Sequence, residues 1–168
     1  KVNDTVNEKE TEEIEIINVD NEKPTVTFET NGNNTYQKSQ STKVTVTDNL
    51  SGVATLKYQW TNSDKEPAKD SFTNTFASGD TLTKSDGTGD YYLWILAIDN
   101  AGNQIITKSN AFKLDNNAPS CNWSGESTTY RTSADITVTC KDIESGCLNT
   151  TNSKTWNYKE TKVTDEVS

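Results

Sequence analysis

The chain has 168 residues, a net charge of −9, no histidine and a mean hydropathy of −0.83. That acidic balance excludes a nucleic-acid surface, which needs clustered Lys and Arg, and it excludes a basic amphipathic membrane contact. No apolar run approaches the roughly 20 residues that span a bilayer, so no membrane insertion is expected of this segment. Thr, Asn, Ser and Asp dominate, a composition that favours short strands joined by turns over helices. Lys1 opens directly into polar sequence, with no initiator Met and no leader, as in a fragment or a processed chain.

Residues 1–19 are expected to be a flexible tail or the last strand of a preceding repeat. The reason is internal similarity: TEEIEIINVDN near the start corresponds to ITKSNAFKLDN later on. The stretch NVDNEKPTVTF, from Asn18 to Phe28, recurs as KLDNNAPSCNW, from Lys113 to Trp123, at an offset of 95 residues. STKVTVT from Ser41 matches SADITVT from Ser133, and NLSGV from Asn49 matches IESGC from Ile143. Trp60 and Trp156 then fall close to register. One complete unit is expected over 20–117, and residues 118–168 read as the first half of a second.

Within the complete unit the elements follow in order. PTVTFET alternates, with Val26 and Phe28 inward, and KVTVTD alternates, with Val44 and Val46 inward. VATLKYQW contributes Val53, Leu56, Tyr58 and Trp60 in a less clean register. The polar segment from Thr61 to Asp90 is expected to hold two short strands or a hairpin. YYLWILAI, from Tyr91, is apolar on both faces: Leu93, Ile95 and Ala97 on one, Trp94, Leu96 and Ile98 on the other. One face is assigned to the core. The other is either covered by the 61–90 segment or exposed as an interaction face. The run ends in D-N-A-G-N, a turn that reverses the chain into IITKSNAFKLD. About seven strands result, an all-β antiparallel sandwich.

PTVTF, VTVTDNLSGV, YYLWILAIDNAGN and LDNNAP together resemble bacterial immunoglobulin-like repeats, which occur in tandem in secreted and wall-attached surface proteins. The resemblance covers residues 20–119 and extends by repetition to 120–150. It implies an immunoglobulin-like β-sandwich in an extracellular location, acting as a spacer or stalk whose partners are adjacent repeats of the same protein. The alternative it leaves open is an adhesion module for a host or cell-wall glycan or protein. Trp94, Leu96 and Ile98, or the aromatic residues around Tyr58 and Trp60, would form its binding face.

Catalysis is not expected. Without histidine there is no Ser-His or Cys-His pair, and no two carboxylates stand out as an acid/base couple. No catalytic residue and no organic cofactor is assigned. Asp20, Asp48, Asp99 and Asp115 lie at strand ends or repeat junctions and serve either as turn formers or as calcium ligands, Asp20 and Asp115 first. The three cysteines lie in the second repeat. Cys140 and Cys147 flank a short turn and suit a disulfide; a Cys121–Cys147 bridge or free thiols are the alternatives. The half repeat is expected either to be a cut array or to be completed by the strand EEIEIINV of another copy.

Overall fold

The computed structural model describes residues 2–3, 10–11, 19–125, 134–147 and 153–158. The segment TEEIEIINV, on which both the preceding-repeat reading and the strand-exchange reading rest, lies outside them except for its first and last residues. Near the amino terminus β1 (Val2–Asn3) pairs antiparallel with β2 (Glu10–Thr11).

The complete unit is a β-sandwich. One sheet holds β3 (Thr25–Phe28), β5 (Gln40–Thr47) and β8 (Thr81–Lys84), in the order β3-β5-β8. The other has β9 (Gly89–Asp99) at its centre, between β6 (Val53–Thr61) and β11 (Phe112–Leu114). β7 (Asn74–Thr75) extends it beyond β6, and β10 (Gln104–Lys108) pairs with the carboxyl-terminal half of β9. β4 (Asn33–Gln37) crosses over from the first sheet and runs parallel to β11.

Alternation in the sequence determines which side chains meet. β5 is buried and exposed by turns along its whole length, with Val44 and Val46 inward. Leu93, Ile95 and Ala97 of β9 face them from the opposite sheet, joined by Leu82 and by the partly buried Val26, Phe28, Val53, Leu56, Tyr58 and Trp60. Each fully buried Val, Leu or Ile among them contributes roughly 1.5–3 kcal/mol by leaving water. The untidy pattern of VATLKYQW has a local cause. Val53 pairs with Asp99 and Thr55 with Ile98, so Ala54 is an extra residue that bulges the strand. The bulge returns Val53 to the face that Leu56, Tyr58 and Trp60 share.

Three elements differ from expectation. β4 is built of five residues with little apolar content and carries no alternation that a pattern reading could catch. The two short strands expected between 61 and 90 exist, but they do not form a hairpin: β7 joins β6 and β8 joins β5, on opposite sheets. The closing strand is split at Ser109, whose hydroxyl accepts from the Leu93 N–H at 3.0 Å while its own N–H donates to the Leu93 carbonyl. Gln40, 4% exposed, links three strands by donating to the carbonyls of Thr35 and Lys113 and accepting from Asn33.

Beyond the sandwich lies a three-stranded sheet of β12 (Ser120–Ser124), β13 (Ala134–Lys141) and β14 (Ser153–Tyr158). Its register reproduces that of the complete unit. Cys121 pairs with Cys140 and Trp123 with Val138, as Val26 pairs with Val46 and Phe28 with Val44. The alignment of STKVTVT with SADITVT is therefore displaced by two residues, an error invisible to a pattern whose period is two. β14 pairs with β13, the position β8 holds beside β5, so Trp156 does not take up the backbone place of Trp60.

The disulfide also differs from expectation. Cys140 is joined to Cys121 across the two strands, Cα to Cα 4.0 Å, and Cys147 is free. The Cys140–Cys147 bridge is not the one formed, because Cys121 stands directly opposite Cys140 in the ladder. Closing a loop of 19 residues is worth about 3 kcal/mol in the chain-entropy account. Reduction should therefore speed amide exchange in β12 and β13 by about two orders of magnitude, leaving β9 unchanged. Equal loss of protection in both sheets would contradict this.

Candidate functional site

The acidic residues singled out along the chain converge. Asp20 leaves the linker, Asp48 closes β5 and Asp99 closes β9. Carboxylate oxygens of these three residues, from three separate segments, lie within 4.8 Å of one another. Each is held by local chemistry. Asp48 accepts from the N–H groups of Leu50 and Gly52, shaping the D-N-L-S-G turn, in which Gly52 takes φ 79°. Asp99, 2% exposed, accepts from the backbone and side-chain amides of Asn103, both at 2.8 Å. Gly102 at φ 96° completes that reversal.

The two turns and the linker are then tied together. Asn100 donates its side-chain amide to the carbonyls of Ser51 and Gly52, and its backbone N–H also reaches Gly52. Asn103 donates to the carbonyl of Asp20 at 3.2 Å. Asp20 in turn accepts from the N–H of Glu22 through one oxygen and from the N–H of Ser51 through the other. The linker that enters the unit is thus seated on the same turns that close its two central strands.

The arrangement recurs at the next boundary. Asp115 accepts from the N–H of Asn117, two residues on, and from the N–H of Ser145. Asp142 accepts from Gly146 at 2.9 Å as Asp48 does from Gly52 at 2.8 Å. Asp115, Asp142 and Glu144 form a second carboxylate group of the same compactness. Asp115 also belongs to the first unit: it is 6% exposed, and its N–H donates to the Gln37 carbonyl. Neighbouring Asn116 donates to the carbonyls of Lys38 and Gly87. One aspartate therefore holds bonds on both sides of the boundary.

Asp20 and Asp115 are the two aspartates named first as possible calcium ligands, and each is one member of a carboxylate group. Asp142 and Glu144 escaped notice, although IESG extended by one residue becomes D-I-E-S-G beside D-N-L-S-G. Hydrogen bonds from Ser51 and Glu22 hold the Asp20 carboxyl below the usual aspartate range. Asp115 is lowered likewise, by Ser145 first, against an opposing effect of desolvation. Because both values are depressed on folding, the seats are fully formed above the ordinary aspartate pKa of about 4 and are lost as pH falls through the lower folded values. Carboxyl carbon shifts followed by NMR should show both midpoints below about 4, with the Ser51 and Ser145 amides losing protection in the same window. Midpoints at ordinary values would remove the seats from solution.

Of the two outcomes open for the second face of β9, cover by the 61–90 segment is the one found, and the interaction face at Trp94, Leu96 and Ile98 is corrected. Trp94 is 5% and Leu96 2% exposed, because Phe72 from the 61–90 segment lies on them, with Tyr92, Ile98 and Ile106 around it. The strap is tied down further: the Trp94 indole donates to the Ser63 carbonyl at 3.4 Å, and Lys108 donates to the Asp64 carbonyl. Lys108 also sits over the rings of Tyr92 and Trp94. Trp94, Leu96 and Ile98 form a second small core, not a surface for a partner. Tyr58 and Trp60 are likewise committed to packing, edge-on to Phe76 and Phe112, and the buried Trp60 N–H finds no acceptor among the described residues.

No helix among the described residues is long and apolar enough to cross a membrane. Comparison of the chain with family models, with curated proteins and with solved structures returned no match.

Proposed function

We propose that this chain is a non-catalytic spacer segment of a bacterial surface or secreted protein, built of immunoglobulin-like sandwiches in tandem whose partners are one another. The observation that carries the reading is the repeated seat: Asp20 on the Ser51 turn and, one unit later, Asp115 on the Ser145 turn. A linker captured by the turns of the unit it enters restrains the angle between neighbours, which is what a stalk requires. The strand arrangement supports the immunoglobulin-like part, since three strands of one sheet face a sheet centred on β9 with split outer strands. The disulfide supports an oxidising, extracellular compartment.

Substituting Asp115→Ala tests the reading in the full chain. NMR relaxation of the 134–147 amides should then report faster, independent tumbling, while the 20–114 sandwich keeps its spectrum. An unchanged relaxation profile would refute the seat as a coupling device. The calcium alternative at Asp20 and Asp115 is tested on the same molecule. A rise in Tm in millimolar calcium over EDTA that Asp142→Asn reduces would add the ion to the junction. No rise would leave the carboxylates as hydrogen-bond acceptors alone.

A further inference from the structure

The three cysteines occupy three places that form one cluster in the complete unit. Cys121 and Cys140 stand in the ladder positions of Val26 and Val46. The turn that follows is reproduced too, with Gly146 at φ 76° against Gly52 at 79°, each donating to the aspartate four residues before it. Cys147 leaves that turn at the place of Val53. Val26, Val46 and Val53 all belong to the same packed core of the first unit. In the second repeat these places hold a disulfide and a half-buried thiol.

We infer that Cys147 is the attacking thiol of an internal thiol–disulfide exchange with the Cys121–Cys140 bridge. The Cys147 thiolate attacks Sγ of Cys140, the residue on the central strand. A Cys140–Cys147 bond forms and the Cys121–Cys140 bond breaks. Cys121 leaves as the thiolate and takes up the proton that Cys147 released. One disulfide and one thiol exist before and after, so no oxidant or reductant is consumed.

The exchange changes the mechanics of the boundary. β12 begins only five residues after Asp115, and the resting bridge clasps it covalently to β13. After exchange β12 is held by its ladder alone, while the new bridge spans the 142–146 turn. The device is independent of the spacer reading, because it needs only the three sulfurs and the register that assembles them.

Trypsin separates the cysteines onto three peptides, 114–131, 132–141 and 142–154, so the pairing can be read by mass spectrometry without reduction. The freshly isolated chain should show 114–131 linked to 132–141, with Cys147 alkylated. Incubation of the native chain in mildly alkaline buffer should build a second species, 132–141 linked to 142–154 with Cys121 alkylated. Its rate should be unchanged on dilution and its yield zero in Cys147→Ser. As an independent check on reach, Cys121→Ser treated with oxidised glutathione should close Cys140–Cys147 within the chain instead of accumulating mixed disulfides. The inference is overturned if the original link alone persists while Cys147 stays alkylatable. New links that form only between chains, or stable mixed disulfides in Cys121→Ser, would overturn it as well.

Discussion

Phe72→Ala should destabilise the complete unit by about 3–5 kcal/mol, the range for emptying a buried aromatic site. Phe72 is 1% exposed and lies in a stretch otherwise at the surface: residues 62–66 and 68–71 are all exposed. It is therefore the one large apolar anchor of the strap over Trp94 and Leu96. The three polar ties that remain, from Trp94, Lys108 and Lys69, are each worth only about 1 kcal/mol net. They cannot hold the strap against the entropy of some ten ordered residues, each costing about 1–2 kcal/mol of backbone freedom. Denaturant unfolding should show the loss of stability, while red-shifted tryptophan emission and binding of an apolar dye report the uncovered face. Phe72→Leu should recover most of the difference. A variant with unchanged midpoint and emission would show that the strap does not cover Trp94 in solution.

Asp99→Ala should cost about 2–3 kcal/mol, for a different reason. The carboxylate is buried and satisfies two donors of Asn103, one of which also holds the linker at Asp20. Truncation leaves those donors without an acceptor in a place that water reaches poorly, and an unsatisfied buried donor costs more than a hydrogen bond contributes. Asp99→Asn keeps one acceptor oxygen and should lose less. The two variants are separated by denaturant midpoint, and proton exchange at the Ser51 amide should show whether the linker seat opens with the turn. If Asp99→Ala melts with the parent chain, the turn owes its shape to Gly102 and the backbone alone.

The two effects explain the most conspicuous stretch of the chain, YYLWILAIDNAGN. It is apolar on both faces because it is the central strand of one sheet with the opposite sheet below and the Phe72 strap above. It stops at an aspartate because the same residue must reverse the chain and help receive the linker. The apolar content was enough to place the strand at the centre. Which cover lay over Trp94 was undetermined, because a strand greasy on both sides is equally consistent with a strap and with a partner.

Local pattern carried the strands whose alternation is strong. Val44 and Val46 in β5, and Leu93, Ile95 and Ala97 in β9, could be assigned inward from spacing alone, since successive side chains on a strand point to opposite faces. It failed where tertiary contacts set the geometry. Ala54 bulges only because β6 has to match β9, and β4 exists only because β11 offers it an edge. β7 and β8 lie close in sequence, and pattern alone left open whether they pair as a hairpin; each instead found a longer neighbour on a different sheet.

The candidate site divides in the same way. Aspartates at turn positions, and their recurrence after roughly one unit, are properties of the sequence by itself, as is the two-sheet, all-β character of the chain. Their convergence from three segments into one group is a property of the folded chain, because it depends on which turns share an end of the sandwich. The cysteine pairing is the clearest case. A shift of two residues preserves every inward and outward assignment, so the hydrophobic pattern cannot distinguish one register from the other. Backbone hydrogen bonding between β12 and β13 does distinguish them, and it is what sets Cys121 opposite Cys140 and leaves Cys147 free.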